Sequence, residues 1–306
     1  MILGLPPFKG FLVTKPENRG SAIAALFVLA LIWGYNWVQM KIAAQYASPF
    51  VFAGLRIVLS SAILLLSLAV LRKPIAPKEI RGTLLTGLLQ IAGMYGFATW
   101  ALASGGAGKT AVLVYTMPFW VLILAWLFLG ERVKGWQWIA IAISVCGLLF
   151  ILEPFNLNGT ILSKVLALLS GISWAGGVIV AKKLRQTVEL DLLSFTAWQT
   201  VFGAIPLVLA AWLVPSTPIV WSTPFIVALF YAVVPGTAIA TLLWLYVLNR
   251  LPAGIAGLGL LMNPVVGVLA AWAQLGEQPG SLEIIGMGLI AIALLLNAFQ
   301  ATRTQN

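Results

Sequence analysis

Ten apolar runs separated by short polar breaks organise the chain, at about 21–43, 49–71, 82–104, 108–129, 136–153, 161–181, 191–213, 224–248, 253–275 and 282–300. A helix crosses the hydrocarbon of a bilayer in roughly 20 residues. Most of the runs reach that length, and 136–153 and 282–300 stand at its short end. The pattern predicts ten membrane-spanning helices, because a lipid-embedded backbone has to satisfy its own hydrogen bonds. Residues 1–20, with Lys9, Lys15 and Arg19, form a tail without spanning capacity, and 301–306 form a second short tail. No cleavable signal peptide is evident, since the first apolar stretch is long enough to span.

Composition agrees. Hydrophobic residues make up 61% and charged residues 8%, with a mean hydropathy of +1.03. A soluble domain carries about 25% charged residues, so lipid must be the solvent for most of this surface. The expected class is all-α transmembrane. The net charge of +10 does not indicate a nucleic-acid partner, because the cations lie in short breaks between apolar runs. With the N-terminus inside, the inner segments hold Lys9, Lys15, Arg19, Arg72, Lys73, Lys78, Arg81, Arg132, Lys134, Lys182, Lys183, Arg185, Arg250 and Arg303. The outer segments hold only Lys41, Lys109 and Lys164. Under the positive-inside rule, this places both termini in the cytoplasm of a cell bounded by a bacterial inner membrane.

The two halves resemble each other. Ala107-Gly108, Pro118, Ala125-Trp126 and Leu129-Gly130-Glu131 recur at Ala253-Gly254, Pro264, Ala271-Trp272 and Leu275-Gly276-Glu277, every one 146 positions later. Trp33 and Lys41 are matched by Trp174 and Lys182 at the same internal spacing. Residues 21–155 and 156–300 thus form two five-helix copies. Five is odd, so the second copy enters the membrane from the opposite side. Inverted repeats of this kind are built for alternating access, with substrate held near the midplane.

These halves, each closing its fourth helix on a proline-containing run that ends Leu-Gly-Glu, resemble the EamA family of the drug/metabolite transporter superfamily. The likeness covers about residues 21–300 and is nearest to amino-acid exporters of the YddG type. It implies a basket of ten helices whose cavity is lined by helices 1, 3, 4, 6, 8 and 9, with 5 and 10 peripheral. Export as the direction of transport is implied by this resemblance alone.

Candidate substrate contacts are the polar and aromatic residues at mid-depth, where an unpaired polar group is costly. Helix 1 offers Trp33, Asn36 and Gln39; helix 3 offers Tyr95 and Thr99, with Gln90 on another side. Helix 4 contributes Tyr115, helix 6 Trp174, helix 8 Thr237, Thr241 and Trp244, and helix 9 Asn263. For each, the competing reading is a hydrogen bond or ring contact that merely holds helices together. Pro118, Pro235-Gly236 and Pro264 are candidate hinges or static bends. Gly254, Gly257, Gly259 and Gly267 permit close packing. Arg56, about 10 Å deep by the helical rise, reads first as a cation that snorkels or binds helix-end carbonyls. Its second reading is an anchor for a substrate carboxylate.

All eight carboxylates (17, 79, 131, 153, 189, 191, 277 and 283) fall at helix ends or in breaks, and there is no histidine. Without a mid-depth proton carrier, facilitated rather than proton-coupled transport is expected. An enzyme would need a nucleophile–base pair, an acid dyad or a metal cluster, and none is present at membrane depth. The single Cys146 and the lack of histidine exclude a disulfide framework and a Cys/His metal site, and no cofactor is expected. A channel is disfavoured by the internal repeat. The expected partners are membrane lipid and a small neutral metabolite, with aromatic or other hydrophobic amino acids first and lipophilic cationic drugs as the alternative. A monomer suffices, with a dimer as the other option.

Overall fold

The computed structural model describes residues 19–130, 135–152, 161–248, 250 and 262–303. Glu131, Glu153 and the Gly254–Gly259 stretch lie outside these residues, as do both tails apart from Arg19, Gly20 and 301–303. The described residues are helical in ten segments. We label them α1 (Arg19–Ala43), α2 (Pro49–Val70), α3 (Ile80–Gly87, Leu88–Gly93 and Met94–Ser104), α4 (Ala107–Val114 and Met117–Leu129) and α5 (Gly135–Leu152). The second set is α6 (Ile161–Thr187), α7 (Leu192–Leu213), α8 (Thr223–Val233, Val234–Ile239 and Ala240–Leu248), α9 (Met262–Leu275) and α10 (Ser281–Arg303). Six of them, α1, α2, α4, α6, α7 and α8, are long and apolar enough to cross a membrane. The chain is a multi-pass membrane protein.

The helix ends follow from local chemistry. Pro49 and Pro224 sit in first turns, where no intrahelical N–H bond is lost. Asp191 and Ser222 cap α7 and α8 by accepting from the backbone N–H groups of Ser194 and Phe225. Gly130 and Gly276, the glycines of the two Leu-Gly-Glu triplets, end α4 and α9 with φ of 64° and 68°. That left-handed conformation costs glycine nothing.

Besides the break in α4, two helices carry a wider turn. In α3 the middle segment Leu88–Gly93 is a π-helical turn, and in α8 the segment Val234–Ile239 is another. Pro235 accounts for the second, since it has no N–H to give. The first has no proline. Its Leu89 carbonyl is met from α6 by the Ser173 hydroxyl, and just beyond the turn the Ser170 hydroxyl meets Met94 O, both at 2.8 Å.

Packing pairs α1 with α9 and α6 with α4; it pairs α3 with α6 and α8 with α1. Helix α2 lies along α7, and α5 lies along α10 at the edge of the bundle. Alanine and glycine make the closest crossings. A Cβ on Gly203 of α7 would run into Ile91 and come within 2.6 Å of Gly87 O on α3, and one on Gly171 of α6 would meet Val114 O at 2.8 Å. Large apolar side chains such as Phe128, Trp212, Leu213 and Phe230 point outward, where lipid covers them.

One end of the bundle carries an ion pair, Lys73 Nζ to Asp191 Oδ2 at 3.1 Å, linking α2 to α7. Partial burial alone would push the Asp191 carboxyl up; the Ser194 N–H and Lys73 outweigh it and hold the group below its ordinary value of 3.8. A carboxyl lowered by folding stabilises at pH above its unfolded value, and the contribution is lost as pH falls through the folded one. The unfolding midpoint of the detergent-solubilised protein should therefore drop between about pH 5 and 3 by more than that of Asp191→Asn. At neutral pH Asp191→Asn should cost no more than about 1 kcal/mol, since the pair is partly exposed and asparagine still caps. Gly203→Val should cost about 1–3 kcal/mol through overpacking, read from the same thermal melt.

Candidate functional site

Polar side chains at mid-depth converge where α1, α2, α3 and α8 meet. Arg56, two turns into α2, is 1% exposed and the largest fully buried side chain among the described residues. Its Nε and Nη2 donate to Thr237 Oγ1 at 3.4 and 3.1 Å, and Nη1 donates to Met40 Sδ at 3.0 Å. The guanidinium lies over the Tyr95 ring, 4.4 Å from its centroid, a cation–π contact. The Thr237 hydroxyl spends its own proton on Ala232 O at 2.8 Å, which leaves its oxygen free to accept. Arg56 therefore neither snorkels to the surface nor binds helix-end carbonyls, contrary to the first sequence reading.

Met40 also receives Asn36 Nδ2 at 3.3 Å, so one sulfur bridges the amide and the guanidinium. Asn36 Oδ1 is buried with no partner among the described residues. It faces Gly236, where a Cβ would stand 2.5 Å away. Gly236 thus leaves room for the amide oxygen. Its carbonyl, in the π-turn, accepts from Trp33 Nε1 at 3.2 Å, and Trp33 packs on Trp244 with ring centroids 6.0 Å apart.

A second cluster links α9, α4 and α1. Asn263 Nδ2 donates to Tyr115 OH at 2.9 Å, and Trp37 meets the Tyr115 ring edge-on at 6.2 Å. Asn263 is fully buried and its Oδ1 has no partner among the described residues. Tyr115 stands at the break between the two segments of α4, with Pro118 in the first turn beyond it. Gly34 brings α1 against α9, where a Cβ would meet Asn263 O at 2.9 Å. Pro264 neighbours Asn263.

Three candidates stand apart. Thr99 donates to Tyr95 O at 2.7 Å within its own helix. Thr241 and Trp174 are half-buried and bond to neither cluster among the described residues. No group of three His, Cys, Asp or Glu that could hold a metal occurs among the described residues.

The end opposite Lys73 is tied by charge. Lys41 donates to Leu102 O at 2.8 Å and Gly105 O at 2.6 Å, closing α1 onto the last turn of α3. Glu277, just past α9, accepts from the backbone N–H groups of Ala107 and Gly108 at 2.9 and 3.2 Å. A carboxylate at a helix N-terminus meets both free donors and the positive end of the dipole.

The EamA-like transporter family model matches residues 20–153 and matches again at 162–299. The chain belongs to the EamA-like transporter family. It is 30% identical to "Uncharacterized transporter YoaV" of Bacillus subtilis over 281 residues, 90% of this chain and 96% of that protein. It is 28% identical to "Uncharacterized inner membrane transporter YedA" of Escherichia coli, covering 89% of each chain. The "Probable amino-acid metabolite efflux pump" of Escherichia coli is also 28% identical, over 92% of this chain and 96% of that one. A solved crystal structure shares the fold at a TM-score of 0.64 and 17% identity, covering 94% of this chain and 100% of the other.

In this EamA-like transporter, sequence reasoning named Asn36, Arg56, Tyr95 and Thr237 separately and missed that Tyr95 and Thr237 meet at Arg56 and that Met40 joins Arg56 to Asn36. The signal was available: Met40 lies four residues after Asn36, on the same helix face. Glu277 was read only as one of the carboxylates at helix ends or in breaks; its clasp on α4 was not foreseen. Removing a hydrogen-bonded carboxylate of this kind costs about 1.5–3 kcal/mol. Glu277→Ala should therefore speed methanethiosulfonate labelling of a cysteine placed at Ala107 by about tenfold, in a chain with Cys146→Ser. An unchanged rate would mean that the clasp does not hold this end shut.

Proposed function

We propose that this chain is an alternating-access carrier that exports small neutral metabolites, chiefly aromatic and other hydrophobic amino acids, by facilitated transport. The observation that carries this reading is a correspondence between its halves. The π-turns of α3 and α8 are 146 positions apart, and so are the left-handed glycines that end α4 and α9. The helix pairs agree: adding or subtracting five turns α1–α9 into α6–α4 and α3–α6 into α8–α1, and returns α2–α7 and α5–α10 to themselves. An odd number of helices per copy then calls for inverted copies, the architecture in which two halves rock about a shared midplane site.

The amino-acid substrate is supported by the name of the Escherichia coli efflux pump relative and by the site's make-up. In the two clusters Trp33, Tyr95, Tyr115 and Trp244 offer flat apolar faces and Asn36, Thr237 and Asn263 offer hydrogen bonds; Trp174, Thr99 and Thr241, which stand apart from them, are proposed as further substrate contacts. Pro118, Pro235, Gly236 and Pro264 serve as hinges, each beside a polar cluster. Facilitation is supported by the absence of histidine from the chain and of carboxylates from mid-depth. The distribution of cations favours cytoplasmic termini.

Purified protein in liposomes preloaded with unlabelled phenylalanine should take up labelled phenylalanine by saturable counterflow, with no pH gradient imposed. Replacing Trp33, Tyr95, Trp174 or Trp244 by alanine should remove a contact of about 1–2 kcal/mol and raise KM roughly five- to thirtyfold. A strict requirement for a pH gradient would overturn facilitation. Unsaturable flux would replace the carrier by a channel.

A further inference from the structure

Among the described residues Arg56 has no counter-ion. An arginine stays protonated in any protein setting, and bringing its charge out of water costs several kcal/mol that a partner has to offset. No carboxylate bridges it among the described residues, where the acids Glu79, Glu189, Asp191, Glu277 and Glu283 stand at helix ends or between helices. With 1% of its surface exposed, Arg56 is also out of reach of lipid head groups.

Its hydrogen bonding is incomplete. Thr237 Oγ1 takes two N–H groups and a thioether sulfur, a weak acceptor, takes a third. A guanidinium has five N–H groups, so one remains on each terminal nitrogen. Paired guanidinium N–H groups are what a carboxylate takes in bidentate fashion. Thr237 and the Tyr95 ring fix the plane of the group. On the other side of Met40 Sδ lies the amide of Asn36, its oxygen buried and unpartnered. The cluster thus holds spare donors with a positive charge beside a spare acceptor, next to the aromatic rings of Tyr95, Trp33 and Trp244.

We propose that Arg56 and Asn36 form the head-group site of the carrier, Arg56 taking the carboxylate and Asn36 Oδ1 the ammonium of an α-amino acid. The assignment rests on the carrier reading above and narrows its substrate class: the bound molecule has to bring a carboxylate. A lipophilic cation is excluded from this site, because it would add a second positive charge to one that is already uncompensated.

The test compares L-phenylalanine with its decarboxylated and deaminated relatives, phenethylamine and 3-phenylpropionate. Each is assayed for uptake into proteoliposomes and for thermal stabilisation of the detergent-solubilised full chain, with chloride as a simple-anion control. Phenylalanine should be transported and should stabilise; phenethylamine should do neither. Arg56→Lys, which keeps the charge but not the paired donors, should raise KM for phenylalanine at least tenfold. Arg56→Gln should abolish the stabilisation while melting as a folded protein, and Asn36→Ala should shrink the preference for phenylalanine over 3-phenylpropionate. If nothing is transported yet phenylalanine still stabilises and phenethylamine does not, the carrier reading fails and the site stands. Stabilisation by phenethylamine or by chloride equal to that by phenylalanine would overturn the site. So would an unchanged KM in Arg56→Lys, or no stabilisation by any of the compounds.

Discussion

Inside a hydrocarbon layer no water is at hand to replace a missing hydrogen bond, so a polar atom drawn in without a partner in the protein or a bound molecule is costly. In this chain that constraint is tightest around Arg56, where a full charge sits among four helices. Helix α1 meets it with a sulfur, α8 with a hydroxyl and α3 with an aromatic face. The close approach of α1 to α8 depends in turn on Gly236, which leaves room for Asn36 and offers its carbonyl to Trp33. Backbone irregularity and buried charge therefore belong to one arrangement.

Much of this fold was legible in the sequence, because membrane helices write their length directly into runs of apolar residues. All ten expected runs correspond to helices among the described residues, with ends within about six positions of those expected, except that the start of the ninth run, 253–261, lies outside the described residues. The family was legible too, through the repeated Pro and Leu-Gly-Glu positions that the family model matches in both halves. The gathering of Lys41, Ser163 and Glu277 at one end and of Lys73 and Asp191 at the other accords with helices that run alternately up and down.

The site was legible only as a set of residue types. Spacing along a helix tells which side chains share a face, but it assumes a constant turn. The π-turns break that assumption in the two helices that carry Tyr95 and Thr237. The turn in α3 has no proline to announce it, and one of its carbonyls, Leu89 O, is met by a serine on α6. Such tertiary support leaves no mark in the local sequence. Arg56 was misjudged for a related reason: its depth could be counted, whereas its partners, Met40 and Thr237, come from other helices.

The π-turns also bear on how this chain can change over evolutionary time. A π-turn takes up one residue more than the α-helical turn it replaces. Deleting a single residue between Leu88 and Gly93 would therefore leave a regular α-helical turn with Tyr95 on the same face, whereas a deletion in the regular turns on either side would swing everything beyond by about 100° and carry Tyr95 away from Arg56. A one-residue change of length is thus open to the π-turns of these two helices and closed to their regular turns. Insertions and deletions among relatives that keep the site should therefore gather in the connections between helices and, one residue at a time, in the middles of α3 and α8.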